Sequence, residues 1–417
     1  MSPDSPPSRR RALLKALVYM SIAGVLAIGA FAFTQRRLLT TLAENWDVLS
    51  AGSEWAASAE STDAFVKYLA AHPERFSIAT WPVGAPDKGW FHGADTPRSL
   101  ASTVKILVLA EYATQVADGR IDPTEKIPVA SWEALHLPGM DGGAHEKALN
   151  ELREENLIVD EQVPLSAIAR AMIVRSDNAA TDLLMHRVGR AALERLPERL
   201  GLTGQETPWP LNGAFLVAMS PPAGQTAGAW IPDVDARGRS FLRDEAWRLS
   251  QRMADDAAFS GEWKARLEKD GLILDLRAQR DFARRLVTRG TARGYAQLME
   301  QVLRPPPAGS GWAKVMSELL EWPLEKGPTL RERFDRLGTK GGSLVGLLTS
   351  AWYAQTRAGD GRVLAIFHDD MPVPLWAQLV QNFTHQEVER RALEEPGFAN
   401  ELRRRIEAGP TTDKGAP

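Results

Sequence analysis

Three short motifs, far apart and in one order, constrain this chain most. They are Ser102-Thr103-Val104-Lys105, Ser176-Asp177-Asn178 and Lys340-Gly341-Gly342. A fold that uses them together must bring a helix start, a middle turn and a late strand to one place. The first supplies a serine with a lysine three residues on, which puts both on one face of a helix. A free serine hydroxyl is a poor nucleophile at neutral pH. It needs an adjacent base, and lysine serves when burial or a nearby cation lowers its pKa. The run Ile106-Leu107-Val108-Leu109-Ala110 continues as an apolar helix, and the free N–H groups at its start suit an oxyanion. The second motif adds a hydroxyl and an amide, the third a cation on a strand. Singly they are a polar turn, a helix cap and a glycine turn. In this order they form an acyl-transfer site without histidine, cysteine or metal.

With these motifs the chain resembles the penicillin-recognising serine enzymes, most closely the class A β-lactamase-like serine hydrolases. The resemblance runs from about Phe76 to Met371. It is dense in 99–105, in 171–182 and in 340–346, and it is weakest between about 213 and 285. It implies an α/β (α+β) fold: an antiparallel sheet from N- and C-terminal strands, flanked by helices, with an inserted mostly helical subdomain. It also implies roles. Ser102 is acylated, Lys105 is the base, and Ser176 passes the proton to the leaving group. Asn178 bonds a substrate amide, and Lys340 attracts a substrate carboxylate. The backbone N–H groups of Ser102 and Ser343 form the oxyanion hole, beside Gly342. No cofactor is implied. The substrate is a small-molecule or peptide amide or ester, and the protein is expected to be a monomer.

Two departures matter. The family's third motif usually carries Thr or Ser between Lys and Gly, where this chain has Gly341. A hydrogen bond to a substrate carboxylate is then missing unless Ser343 supplies it. The second concerns deacylation, which class A enzymes drive with a glutamate four residues before an Asn. Leu211-Asn212 lies at a suitable distance, but the glutamate position is Pro208. Glu206, two residues too early, is the candidate displaced base. Three functions therefore compete: a β-lactamase-like amidohydrolase, a peptidoglycan D,D-peptidase or esterase with incidental β-lactam reactivity, and a catalytically silent tethered sensor.

Other chemistries find no footing. The seven histidines show no H-E-x-x-H spacing, and His136 and His145 read as loop residues in a glycine-rich insertion. There is no G-x-S-x-G elbow, phosphate loop or dinucleotide fingerprint. Without cysteine there is no disulfide or thiolate metal site. The net charge of −3 is no nucleic-acid footprint. Trp81, Trp90 and Trp352 read as core, and Trp209 as core or cleft wall.

Residues 1–37 carry six basic residues and one Asp. Arg9-Arg10-Arg11 and Lys15 precede an uncharged, mainly apolar run, Ala16 to Gln35, closed by Arg36 and Arg37. At about 1.5 Å per residue the run spans a bilayer core. The basic flanks keep the N-terminus cytoplasmic and the rest outside. A retained anchor is favoured by length. A cleaved signal, with a site at Ala30-Phe31-Ala32 or of twin-arginine type, is the alternative. Either way the expected location is the cell envelope. The expected division is 1–37 basic segment and anchor or signal, 38–60 connector, 61–385 hydrolase domain with a helical insertion at about 213–330, and 386–417 charged helix and disordered tail. Within it, a helix from Thr62 ends at Pro73, and strands are expected at 75–81, 89–93, 336–344, 348–356 and 362–367. Asp360-Gly361 is the hairpin turn between the last two.

Overall fold

The structure, a computed structural model, describes residues 45–271, 273–305 and 310–409. The chain divides into two units at Ser50. Of the first, the described part is a short helix, Trp46–Ser50. The run Ala16 to Gln35 lies outside the described residues, and among the described ones no helix is long and apolar enough to cross a membrane.

The second unit begins with α1 (Thr62–Ala71), β1 (Phe76–Pro82), β2 (Trp90–His92), β3 (Arg98–Ser99) and α2 (Lys105–Ala117). A mostly helical stretch follows. It holds β4 (Lys126–Pro128), α3 (Ala144–Glu154), β5 (Gln162–Pro164), α4 (Asn178–Val188), α5 (Leu211–Ala218), α6 (Arg239–Asp255), β6 (Arg289–Gly290), α7 (Ala292–Leu303) and α8 (Ser310–Leu320). The chain returns as β7 (Phe334–Leu344), β8 (Leu347–Thr356) and β9 (Gly361–His368). It closes with α9 (Val373–Asn382), α10 (Thr384–Glu394) and α11 (Pro396–Ala408).

Local chemistry sets the boundaries. Ser61 caps α1 by accepting from Ala64 N at 3.1 Å, and Pro73 ends it. The main sheet has the order β2-β1-β9-β8-β7, antiparallel throughout, so strands from both ends of the chain pair, as the resemblance implies. Its alternation divides two cores. Phe76, Ile78, Leu348, Trp352, Leu364 and Ile366 point to one core, shared with Phe65 and Leu69 of α1 and Val388 and Leu402 of α10 and α11. Ala79, Trp81, Ala351, Tyr353, Val363, Ala365 and Phe367 point to the other, with α2, α5 and α7. Trp81, Trp90 and Trp352 are buried as expected, and Trp209 belongs to the core.

One expected element differs. The charged C-terminal helix is two helices, α10 and α11, meeting at Pro396, which cannot donate a backbone hydrogen bond. Apart from the buried Glu389, its charges lie on the outer face. Val388, Ala392, Leu393, Phe398, Leu402 and Ile406 recur at helical spacing and are buried.

Candidate active site

The strand pair β3–β6 fixes where the nucleophile turn begins. Arg98 faces Gly290, Ser99 faces Arg289, and Leu100 N donates to Thr288 O at 3.0 Å. The chain then makes a tight 3₁₀ turn, Ala101–Val104, that runs straight into α2. Ala101 sits at φ +44°, a left-handed conformation that L side chains rarely adopt. Such strain persists only where the surroundings hold it. Here Thr103 Oγ1 shares a hydrogen bond of 2.8 Å with Thr349 Oγ1, which in turn donates to Leu100 O at 2.7 Å. Strand β8 thus clasps the turn that presents Ser102.

The Ser-Asp-Asn turn repeats this device. Ser176 follows a turn of π-helix, Ala171–Arg175, and sits at φ +66°. Asp177 caps α4 by accepting from Ala180 N at 3.0 Å. On β7, Lys340 and Gly342 pair with Ala351 and Thr349, which places them on the face of the sheet turned to the helical region. A Cβ on Gly342 would meet Ser102 N at 2.6 Å and Leu100 O at 2.9 Å, so this strand lies against the nucleophile turn only because residue 342 is glycine. Gly341 has no such constraint. Its added Cβ would meet nothing nearer than Thr349 O at 3.5 Å, so a side chain fits where the family's hydroxyl is absent.

These elements bring five of the expected side chains together. Lys105 Nζ donates to Ser102 Oγ at 3.1 Å, to Ser176 Oγ at 3.1 Å, to Asn178 Oδ1 at 2.8 Å and to the Ser176 carbonyl. Lys340 Nζ donates to the same Ser176 Oγ at 3.0 Å and to Gly341 O at 2.8 Å. Both lysines are buried. Burial lowers the Lys105 pKa to about 7, against the opposing pull of Asp177, Asp141 and Asp182. Burial and the charge of Lys105 hold Lys340 well below the ordinary lysine value. Two amines on one hydroxyl cannot both carry a proton cheaply, so the pair favours a single charge. Near neutral pH one amine is then free to accept a proton.

Ser343 and Glu206 are elsewhere employed. The Ser343 hydroxyl accepts from Trp376 Nε1 of α9 at 3.1 Å. It is therefore no substitute for a hydroxyl at 341 while that bond stands, although its backbone N–H is unaffected. Both oxygens of Glu206 are taken by the Arg239 guanidinium, at 2.8 and 2.6 Å, and one also accepts from Arg289 N at 2.7 Å. Arg239 in turn lies over the buried Trp209 ring, 4.7 Å from its centroid. This carboxylate joins its loop to α6 and β6. Asn212, farther along, gives its Nδ2 to Leu135 O at 2.8 Å, while the buried Asp182 accepts from Leu211 N at 2.7 Å and Asn212 N at 3.1 Å. Asp182 thus seats the start of α5 on α4.

Of the two histidines expected in a loop, His136 does lie in one, whereas His145 is on α3. Both are buried, and their rings stack at 4.2 Å. His145 Nδ1 lies 2.9 Å from Asp177 Oδ2, next to Ser176. A signal was present. His145, Ala148, Leu149 and Leu152 follow the i, i+3, i+4, i+7 spacing of a buried helix face.

Residues 60–321 match the family described as the beta-lactamase enzyme family. A beta-lactamase from Sphaerobacter thermophilus is 18% identical, covering 78% of this chain and 96% of its own, with a TM-score of 0.47. The corresponding values are 14%, 79%, 96% and 0.43 for PBP-A. For a beta-lactamase from Chitinophaga pinensis they are 13%, 78%, 99% and 0.46. Among curated proteins there is no significant match.

Proposed function

The chain belongs to the beta-lactamase enzyme family, and from that premise we propose that it is a serine hydrolase that forms an acyl-enzyme on Ser102 with amides of the β-lactam class. The observation that carries this reading is the continuous contact from Ser102 Oγ through Lys105 Nζ and Ser176 Oγ to Lys340 Nζ, with steps of 3.1, 3.1 and 3.0 Å. Neutral Lys105 takes the proton of Ser102 as Oγ attacks the carbonyl carbon. The developing oxyanion is met by the N–H groups of Ser102 and Ser343. When the C–N bond breaks, the proton returns from Lys105 through Ser176 Oγ to the leaving nitrogen. Asn178 has its oxygen on Lys105, which leaves its NH₂ for a substrate carbonyl. Lys340 draws a substrate anion toward the site and lowers the cost of charge on Ser176. Water then releases the acyl group.

A second reading has its own observation. With Pro208 at the expected glutamate position and Glu206 held by Arg239, no carboxylate in that loop is free to activate water. This favours a peptidase or esterase that β-lactams acylate and leave slowly. Export belongs to both readings and rests on the basic-flanked apolar run in residues 1–37. It predicts that protease added to intact spheroplasts removes the domain.

Intact mass spectrometry of the protein mixed with a cephalosporin, beside Ser102→Ala, tests the function. A transient adduct with substrate consumed is the β-lactamase result, and a lasting adduct is the peptidase or esterase result. Absence of any adduct, with ester probes also unreactive, overturns the acyl-enzyme and leaves the silent sensor.

A further inference from the structure

The proposed chemistry leaves one buried cluster unused. His145 and Asp177 have side chains 3% and 0% exposed, and they are joined by the 2.9 Å contact between Nδ1 and Oδ2. A carboxylate only accepts, so Nδ1 carries the proton. The other nitrogen, Nε2, is buried without a hydrogen-bond partner. Around it lie the His136 ring, stacked with its centroid at 4.2 Å, and the Trp132 ring, 4.9 Å away and nearly perpendicular. His145 Nδ1–H is thus the donor that holds Asp177.

The remaining bonds of Asp177 show what is being held. Oδ1 accepts from Ala180 N at 3.0 Å, and its own N–H donates to Ala171 O at 3.3 Å. The residue before it is Ser176, in its left-handed conformation. We propose that His145 is a positioning residue for Ser176: it anchors Asp177 and so fixes the strained turn that sets the Ser176 hydroxyl between two lysine amines. This rests on the acyl-enzyme reading. The charged and titratable groups around the pair are His136 and Asp141 from the loop before α3, Glu146 on α3, Lys105 on α2 and Asp182 on α4. Glu146 bonds His136 at 3.1 Å, and Asp141 caps α3 through the N–H groups of Gly143, Ala144 and His145. Neither compensates Asp177.

The test compares His145→Leu, which fills the space without a donor, with His145→Asn, whose amide N–H can reach the same oxygen, and with Asp177→Asn. Acylation of Ser102 by a fluorescent penicillin is followed across the Lys105 titration, together with melting temperature. The Leu variant should acylate about 10–100-fold more slowly, and the Asn variant should recover most of that loss, as for a hydrogen bond to a charged group. Asp177→Asn should move the acid limb of the rate to lower pH, because removing the anion favours neutral Lys105. The limb should stay in place in His145→Asn. Wild-type rate and pH profile in the Leu variant would overturn the proposal, as would a stable Asn variant as slow as Leu. Proton NMR decides if Leu fails to fold or if the wild type proves unreactive. A downfield imidazole N–H resonance, lost in both His145→Asn and Asp177→Asn, supports the anchor. Its absence from the wild type overturns the anchor whatever the fate of the acyl-enzyme.

Discussion

The wall formed by α2, α4 and β7 and the segment from Gly204 into the first turn of α5 border the same helical region, yet they spend their polar groups differently. In the wall, hydrogen bonds converge. Lys105 and Lys340 both reach Ser176 Oγ, and Lys105 also reaches Ser102. In the segment they diverge into scaffolding: Glu206 to Arg239, Asn212 to Leu135, and the backbone at 211–212 to Asp182. Convergence on one oxygen leaves a proton able to move. A bidentate guanidinium pair occupies both oxygens of its carboxylate. The difference teaches that, under the proposed acyl-enzyme, formation and release of the acyl group are separable, and that the groups proposed for the first converge while the carboxylate proposed for the second does not.

Breaking the wall should have the largest effect. Lys105→Met keeps the bulk and removes the base, and acylation measured by stopped-flow with a chromogenic cephalosporin should fall about a thousandfold. Gly342→Ala comes next. The added methyl would press on the Ser102 backbone N at 2.6 Å, and displacement of the nucleophile turn should slow acylation about a hundredfold. The pH profile sharpens the point. With the Lys105 pKa lowered to about 7, the amine is charged below that value and neutral above it. Acylation should therefore climb about tenfold per pH unit on the acid side and level off above neutrality. A flat profile down to acidic pH would remove Lys105 from the role of base.

Smaller effects probe the loop. Glu206→Gln should leave the deacylation rate within about twofold and lower stability by about 1 kcal/mol, read from denaturant midpoints, because a partly exposed ion pair is lost. A much slower release of the acyl group would restore Glu206 as the water-activating base. Smallest of all, Gly341→Thr fits the space beside β8 and supplies the missing hydroxyl. Affinity for a carboxylate-bearing substrate should rise about threefold, as for one added hydrogen bond. No change in affinity would mean that the substrate anion does not lie along that part of β7.

The sheet was the most legible part of the fold. Its strands carry local alternation, and Asp360-Gly361 marks a hairpin, signals written in neighbouring residues. Helix α1 was legible for the same reason, through its apolar spacing and Pro73. The C-terminal helices were less so. Arg and Glu dominate their composition and mask an apolar face that only a partner sheet makes necessary. Glu389, buried and accepting from Trp352 Nε1 at 2.8 Å, could not be told from its solvated neighbours.

Ser102, Lys105, Ser176, Asn178 and Lys340, which the fold brings together, could be singled out from the sequence because the proposed acyl transfer needs particular groups at particular spacings, and covalent neighbours fix spacing within each motif. The candidate displaced base Glu206 and His145, read as a loop residue, turned on something spacing does not carry. Whether a carboxylate is free or tied to Arg239, and whether a histidine is solvated or set against Asp177, depends on residues 33 and 32 positions away respectively. Sequence determined which candidate reactive groups the chain holds. Tertiary structure alone decided which of its polar groups have hydrogen-bonding capacity left over, because a buried group bonds to whatever the fold places beside it.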